Sequence, residues 1–412
     1  MIQKIKKIIR EYPKVFWILA GSSFIDALGK TILFPYFTLY ITKKFQVGMT
    51  EAGVLLAIFS VMGMAGSMAG GALTDKAGRK IMMLFGLVLS ALSSLAMGFI
   101  ERLSVFYIVA FFVGFLSDLG HPARQAMIAD ILPENKRAEG FGVFRVIHNL
   151  AWIVGPSIGG LMAARSYMTL FITDAVLSSL TALIILKSIA ETKPKSPEHE
   201  RTPGFLKTLA GYGEVVKNRL FISFLGVVIF MVLVYQQLYS TLSVYMRDIH
   251  GIPPAGYGML MSLNAFLVVV FQFWVSRKVS GRNPFLMMTL GTVCYFIGYT
   301  SIGFIRGYGL FLAATAVITM GEMITVPVHQ ALVARLAPED MRGRYMAISD
   351  LSYAIPSAVG PWAAGLVMDN YNPNYVWYIC GFISILAIIG FLGLFTYTRR
   401  TKILGQEENP SS

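Results

Sequence analysis

The 412-residue sequence is poor in charge and has only two cysteines. Charged residues make up 14% of the chain, whereas soluble domains carry roughly 25%. Cys294 and Cys380 both lie in apolar runs, which predicts small core residues rather than a disulfide or a metal site. The nucleotide-binding pattern GxGxxG and the metalloprotease pattern HExxH are absent. These absences argue against a soluble enzyme, and we expect neither a metal nor a cofactor.

Long apolar runs occupy most of the chain. Hydrophobic residues make up 55% of the sequence, and the mean hydropathy is +0.63. Because about 20 apolar residues cross a bilayer as a helix, each run can form one membrane span. The sequence therefore predicts an all-α integral membrane protein. Its twelve runs, numbered spans 1 to 12, are residues 15–41, 50–72, 81–100, 103–128, 140–163, 168–189, 219–246, 256–276, 284–304, 308–334, 344–367 and 375–397.

The basic residues are divided unevenly between the two sides that this topology defines. If both termini are cytoplasmic, 27 of the 35 Lys and Arg residues lie in or beside the inner loops and 6 in the outer loops. The other two, Lys30 and Arg145, lie within spans. Such an excess is typical of the cytoplasmic face. It explains the net charge of +13 without a nucleic-acid partner. We therefore predict a multi-pass protein of the inner or plasma membrane.

A polar segment at residues 191–218 divides the chain. Its first part, Glu191–Gly204, is rich in proline and charge, as a flexible linker is. Its second part has the spacing of an amphipathic helix on the membrane surface. We predict an N-terminal six-helix bundle in residues 1–190 and a C-terminal one in residues 219–412. The apolar residues of the amphipathic part are Phe205, Leu209, Tyr212 and Val216.

An internal repeat relates the two halves. A constant shift of 205 residues aligns twelve identical residues in forty ungapped positions, including Pro122 with Pro327 and Pro156 with Pro361. Hydrophobicity alone would not align prolines and glycines in register. The fold class that this predicts is twelve transmembrane helices in two pseudo-symmetric six-helix bundles. Repeats of this kind place a substrate site between the bundles near the midplane.

The polar stretch Gly70–Lys80, GGALTDKAGRK, joins spans 2 and 3. Its pattern, G-x-L-x-D-x-x-G-R-K, resembles the cytoplasmic loop between helices 2 and 3 of the major facilitator superfamily. The resemblance covers about residues 13–400 and implies a transporter that works by alternating access. It also implies a cytoplasmic gate, in which Asp75 faces the positive N-terminal end of span 11. The residues expected in this gate are Gly71, Asp75, Gly78, Arg79, Lys80, Asp130 and Arg137, with Arg79 paired to Asp130.

Span 5 contains the glycine-rich sequence AWIVGPSIGG. Small residues let helices approach closely in lipid, and a proline inside a helix bends it. The segment resembles the antiporter motif of drug:proton exchangers, with Ala151 where that motif has glycine. The alternative is ordinary close packing. The residues that carry the resemblance are Gly155, Pro156, Gly159 and Gly160.

Ionisable residues inside a membrane are costly, and each is a functional candidate. Those near mid-span are Asp26 and Lys30 in span 1, Asp118 in span 4 and Glu322 in span 10. The resemblance implies that spans 1, 4, 7 and 10 line the central cavity. A carboxylate in a poorly solvated cavity takes up a proton more readily than one in water, as proton-coupled transport requires. The alternatives are that Asp26 and Lys30, at i and i+4, neutralise each other, and that Asp118 is a buried structural group.

Five further residues are candidates for titration or substrate contact. On a continuous span 4, His121 and Arg124 would share one face with Asp118, at i+3 and i+6. The repeat aligns Arg124 with His329 and places Tyr235 and Gln236 of span 7 at the position of Lys30. A lone histidine in a helix is more often a packing residue, and Tyr235 and Gln236 are equally plausible as packing residues.

The residues together favour an exporter of amphipathic small molecules in exchange for protons. Its expected partners are the substrate, protons and the lipid bilayer, and we expect a monomer. A symporter or facilitator of the same fold for a sugar, metabolite or lipid is the first alternative. A polytopic membrane enzyme is a remote one, because it would need a nucleophile, a metal cluster or a phosphate-binding loop at a membrane face.

Overall fold

The computed structural model describes residues 11–193, 213–338 and 341–401, without side chains at positions 72, 75, 134, 135, 138, 342 and 343. Within these ranges the secondary structure is helical, and twelve helices are long and apolar enough to cross a membrane. The prediction of an all-α membrane protein with twelve spans is therefore confirmed. The predicted ends of the spans agree with the helix ends to within six residues, and the largest difference is at the start of span 5.

The spans are numbered as in the sequence. Spans 1 and 7 each consist of two α-helices joined by a short 3-10 turn, and span 4 consists of two helices. The α-helices, in chain order, are Lys14–Leu33 and Phe37–Phe45, Met49–Ala77, Arg79–Phe99, Leu103–Ser117 and His121–Ile131, Glu134–Arg165, Tyr167–Ser188, Arg219–Tyr235 and Thr241–His250, Pro254–Val279, Pro284–Ile302, Tyr308–Leu336, Arg342–Asn370, and Tyr375–Thr401.

Span 4 is interrupted where a continuous helix was expected. Its first helix ends at Ser117 and its second begins at His121. Gly120 lies against the backbone of Met82 and Gly86 in span 3, so that a side chain would be tight there. Pro122 then occupies the first turn of the second helix, where its missing N–H is tolerated. Asp118 therefore precedes the second helix and does not share one continuous helix with His121 and Arg124, as had been expected.

Span 10 keeps its helix through the equivalent proline. Pro327 lies inside the helix Tyr308–Leu336 and leaves the carbonyl of Met323, four residues earlier, without its usual N–H partner. The side-chain amide of Gln272 in span 8 donates a hydrogen bond to this carbonyl at 3.0 Å. The two copies of the repeat thus accommodate the equivalent proline differently: the helix is interrupted in span 4 and continuous in span 10.

The described residues fall into two compact units. The first draws on Met1–Glu200, Tyr239–Val269 and Pro361–Asp369, and the second on Arg201–Leu238, Val270–Gly360 and Asn370–Ser412. The first unit has an apolar core contributed by spans 1, 3, 4 and 6. The division into halves at residues 191–218 rests on the internal repeat and stays a prediction.

The predicted amphipathic helix lies largely outside the described residues. Phe205, Leu209 and Tyr212 belong to the range that the structure does not describe. Val216 is described and is exposed.

Candidate functional site

The first unit contains a cluster of three charged side chains. Asp26 is 1% exposed, and its Oδ2 accepts from Arg124 Nη2 at 2.6 Å. The Nζ of Lys30, one turn further along span 1, lies 3.3 Å from the same oxygen. Because burying an unpaired carboxylate costs several kcal/mol, the two cations are what allow Asp26 to remain ionised here. The pairing of Asp26 with Lys30 that the sequence allowed is present, and Arg124 joins it.

A small cleft lies beside this cluster. The side chain of Lys30 is 47% exposed and faces it. Asp118, His121 and Arg124 line the same cleft, although the helix break separates them from a common face. Its apolar wall is formed by Met83 and Leu87 of span 3. The cleft therefore offers charged and apolar surface side by side.

Sequence reasoning missed two titratable residues of this unit. His148 of span 5 accepts a hydrogen bond from Trp152 Nε1 at 3.1 Å. Asp174 lies six residues inside the predicted span 6, and the helix that begins at Tyr167 leaves it 3% exposed. The sequence shows its place in the span but carries no signal of how deeply its neighbours bury it.

The second unit holds a separate polar group. Tyr235 donates a hydrogen bond through its hydroxyl to Glu322 Oε1 at 3.1 Å, so two predicted candidates are in contact. Gln236 bonds to Ser357. His329 is buried, packs on Phe224 and lies 3.3 Å from the Ser349 hydroxyl, which supports a packing role.

The helix of span 2 runs through the predicted polar joining stretch as far as Ala77, and the turn at Gly78 that leads into span 3 is held by side chains of its own unit. Arg79 Nε donates to Asp130 Oδ2 at 3.1 Å, as predicted. Arg137 donates instead to the backbone carbonyl of Ala129 at 3.0 Å. Lys80 Nζ donates to the carbonyl of Leu186 at 2.9 Å. The predicted contact of Asp75 with span 11 involves a side chain outside the described set and stays a prediction, as does the gating role of Gly71, Gly78 and the other loop residues.

Glu191, at the start of the linker, caps the helix that begins in this loop. Its carboxylate accepts from the backbone N–H groups of Arg79 at 2.8 Å and Lys80 at 3.1 Å. The N–H groups of Thr192 and Lys193 bind it as well, each at 2.9 Å. Partial burial would raise the pKa of Glu191, but these backbone hydrogen bonds hold its pKa below the ordinary value. Gly78, at φ +102°, leaves room for this carboxylate.

The glycines of span 5 mark points of close approach. A Cβ at Gly155 would overlap the side chain of Thr31, and one at Gly159 would overlap the backbone of Ile32. Gly160 lies against Ala255 of span 8, where a Cβ would come within 2.8 Å of its Cα. Tyr36 donates its hydroxyl to the carbonyl of Pro156. The predicted close packing is present, and a role in antiport stays a prediction.

Residues 155–159 also match the GxSxG spacing of a hydrolase nucleophile elbow, which needs a sharp strand-to-helix turn. Here Ser157 lies inside the helix Glu134–Arg165 and bonds to the Ser262 hydroxyl at 2.8 Å. The match therefore has no catalytic geometry. Among the described residues, no group of three or more His, Cys, Asp or Glu side chains is placed to hold a metal ion.

Polar contacts also join the ends of spans within the first unit. The carboxylate of Asp369, at the end of span 11, accepts from the backbone N–H groups of Met49 at 2.9 Å and Thr50 at 2.7 Å. These are the first N–H groups of span 2, where a negative charge is favourable. Thr38 of span 1 lies 3.0 Å from the Ser243 hydroxyl of span 7.

Comparison with known proteins identifies the fold and the family. The family model described as Major Facilitator Superfamily matches residues 19–361 and 287–411. A Na(+), Li(+), K(+)/H(+) antiporter of Planococcus maritimus is 26% identical, covering 93% of this chain and 96% of its own. Multidrug resistance protein 2 of Bacillus subtilis is 24% identical over the same shares of both chains. The crystal structure of a POT family transporter in complex with 5-aminolevulinic acid superposes with a TM-score of 0.78 at 15% identity, covering 94% of this chain and 96% of that one.

Proposed function

Because the chain belongs to the Major Facilitator Superfamily, we propose that it exports amphipathic small molecules across the cell membrane in exchange for protons. The observation that carries this proposal is the buried Asp26, which shares one oxygen between Lys30 and Arg124 at the wall of a cleft. Three charged side chains inside membrane spans are costly to bury, which makes them candidates for a role in transport. The antiporter relatives and the glycine-rich segment of span 5 support the exchange of protons.

The cleft has the two surfaces that an amphipathic ligand needs. Met83 and Leu87 can pack against an apolar body, and methionine adapts to ligands of different shape. Asp118 offers a carboxylate to a positively charged end, and it makes no ion pair within 4 Å among the described residues. A ligand of this kind would be oriented by one charge contact and held by apolar surface.

Protons and a cationic ligand would oppose each other at this site. If a proton neutralises Asp26 or Asp118, the positive charges of Lys30 and Arg124 are no longer balanced. A cationic ligand is then repelled, and by linkage the bound ligand disfavours the proton to the same degree. Mutual exclusion of this kind is the basis of antiport. Glu322, which accepts a hydrogen bond from Tyr235, is a third acid that could take part.

The charge count supports the proposed orientation and location. The 27 basic residues at the inner loops against 6 at the outer loops support cytoplasmic termini and a cell membrane. The outer contacts of Asp369 and Thr38 would have to break when the protein opens outward.

Exchange of monovalent cations for protons is the second candidate. The name of the Planococcus relative suggests it, and the exposed Asp118 favours it because a carboxylate is a ligand for such ions. Asp26 does not, since two protein cations already occupy its buried oxygen.

Transport in proteoliposomes with an imposed pH gradient tests the proposal. A cationic dye, a sugar and Na⁺ are offered in parallel, with Asp248→Asn as a control because Asp248 pairs with its neighbour Arg247, away from the cleft. We expect the gradient to drive the dye, and Asp118→Asn and Glu322→Gln to weaken the coupling. Movement of sugar or Na⁺ alone would support the alternatives. Dye movement that ignores the gradient would refute proton coupling.

A further inference from the structure

Asp174 is a buried carboxyl group that the cleft does not include. It lies in span 6 and is packed between spans 1 and 3. Seven residues separate it from the start of its helix at Tyr167, which corresponds to about 10 Å of rise. Only 3% of the residue is exposed. Its protonation state is therefore decided by the protein around it and not by bulk water.

The hydrogen bonds around Asp174 are too few for a carboxylate. Its Oδ2 contacts the hydroxyl of Ser94 in span 3, while its Oδ1 is buried without a hydrogen-bond partner. An ionised carboxylate offers about four acceptor sites. Asp174 forms no ion pair within 4 Å among the described residues. A buried carboxyl without a counter-charge neutralises instead of remaining ionised.

Span 1 carries a positively charged side chain close to Asp174, but this side chain pairs with another residue. Gly29 faces Asp174, and a Cβ there would come within 2.8 Å of Oδ1. The next residue is Lys30, whose ammonium group pairs with Asp26. Asp26 and Lys30 are the charged groups of the packed spans whose fields reach Asp174, and span 3 contributes only the Ser94 hydroxyl.

We infer that Asp174 is a proton-binding site of the transport cycle, protonated in this conformation. The inference rests on the proposed proton coupling and adds a residue that holds the proton. When the Lys30 ammonium group turns from Asp26 towards span 6, it stabilises the Asp174 carboxylate. The carboxyl group then releases H⁺ and remains as the carboxylate, paired with Lys30. When Lys30 returns to Asp26, Asp174 takes up H⁺ again.

The proton has a short route to the cleft. Ser90 lines the cleft and lies one turn before Ser94 on span 3. Lys30 lines the cleft too and is adjacent to Gly29. A shift of the Lys30 side chain alone would thus connect Asp174 to the cleft and would change the charge that a ligand meets there. Proton binding and ligand binding are coupled through one mobile ammonium group.

Infrared difference spectroscopy on the full-length protein in liposomes tests the site without any substrate. Titration of the wild type should show the carbonyl stretch of a buried protonated carboxyl, and Asp174→Asn should lose this band. Gly29→Ala should shift its titration, because the added methyl group crowds Oδ1. Asp248→Asn, in which an exposed carboxylate is removed, is the matched control and should keep the band.

Transport separates proton binding from a structural role. In Asp174→Asn, uptake driven by a pH gradient should fall at least about tenfold, while exchange of dye without a gradient continues. The exchange measurement also shows that the variant folds. The inference is overturned if the wild type shows coupled transport while Asp174→Asn keeps both the infrared band and the gradient-driven uptake of the wild type. A band that depends on Asp174 in a protein without coupled transport would instead refute the proposed function.

Discussion

Asp26 accepts from two cations at one oxygen, and its removal leaves both of them without a buried partner. Breaking a buried pair costs about 3–5 kcal/mol. The cost here lies at the lower end, because Arg124 and Lys30 remain 23% and 47% exposed. Asp26→Asn should therefore reduce the stability of the protein in detergent by about 2–3 kcal/mol. A thermal unfolding series measures this.

The double variant Asp26→Asn/Arg124→Gln is the control. It removes one cation together with the carboxylate, so that it should recover part of the lost stability. If the double variant loses more stability than the two single variants lose together, the pairing is contradicted. Transport is expected to remain low in both, since the charge of the cleft changes in both.

The sequence located most charged residues and predicted two of their pairs, Asp26 with Lys30 and Arg79 with Asp130, but it missed the contact of Arg124. Asp26 and Lys30 were predicted as neighbours because their spacing on a helix is regular. The third partner, Arg124, is 98 residues away along the chain, and its contact depends on how span 4 is interrupted. Asp174 was overlooked for a related reason: its burial depends on how Gly29 of span 1 and Ser94 of span 3 pack against it, and both contacts are distant in sequence.

The packing of span 5 against span 1 depends on glycines, because only a residue without a side chain fits where the two helices approach closely. Gly155 and Gly142 lie on the same helix of span 5, but a Cβ at Gly155 would overlap Thr31 whereas Gly142 faces open space. Gly155→Ala should cost about 1–3 kcal/mol by overpacking. Gly142→Ala should be neutral or stabilising by up to about 1 kcal/mol. Equal melting temperatures for the two variants would argue against close packing at Gly155.

Span 3 depends on a cap that comes from the linker. Glu191→Ala removes the acceptor for the first two N–H groups of that helix, and a cap of this kind contributes about 1–2 kcal/mol. Amide exchange at Arg79 and Lys80 should therefore be about tenfold faster in the variant at neutral pH. Glu214→Ala, which removes an exposed glutamate paired with Lys217, should leave exchange at these amides unchanged.

The pH dependence of this cap follows from the pKa of Glu191. Backbone hydrogen bonds hold the pKa of Glu191 below its ordinary value, so the carboxylate stabilises the folded protein above about pH 4.3. That contribution is lost as the pH falls through the lowered pKa. Below it, the variant and the wild type should exchange at the same rate. If the exchange rates of the variant and the wild type still differ in acid, the negative charge of Glu191 is not what stabilises the start of this helix.

At the scale of the whole molecule, the repeat predicted two similar halves, and the structure adds differences between them. Span 4 is interrupted and span 10 is not, although Pro122 and Pro327 align exactly in the sequence. The neighbours decide the difference: Gly120 packs on span 3, while Gln272 restores the carbonyl freed by Pro327. Contacts of this kind depend on tertiary packing, and the helical periodicity of the sequence does not reveal them.

Asp369 is expected to stabilise the closed arrangement of the outer ends within the first unit. Asp369→Ala removes the carboxylate that accepts from Met49 and Thr50, worth about 0.3–1 kcal/mol as a charge at a helix N-terminus and more with the hydrogen bonds. The outer ends should open more often. In a chain with Cys294 and Cys380 replaced by alanine, a cysteine at the buried Ser243 should react several-fold faster with an impermeant maleimide.

Glu214→Ala in the same background is the matched control, because Glu214 is an exposed acid that pairs with Lys217 ahead of span 7, away from this contact. It should leave the labelling rate unchanged. Equal rates for Asp369→Ala and its parent would mean that the contact at span 2 contributes nothing to closure.

The central claim is that substrate and protons move in opposite directions. It is tested most directly in liposomes that contain a pH-sensitive dye, in weak buffer and without an imposed pH gradient. When a cationic substrate is added outside and enters, linkage requires protons to leave, and the interior should become alkaline. Substrate entry with no change of internal pH, or with acidification, would contradict antiport.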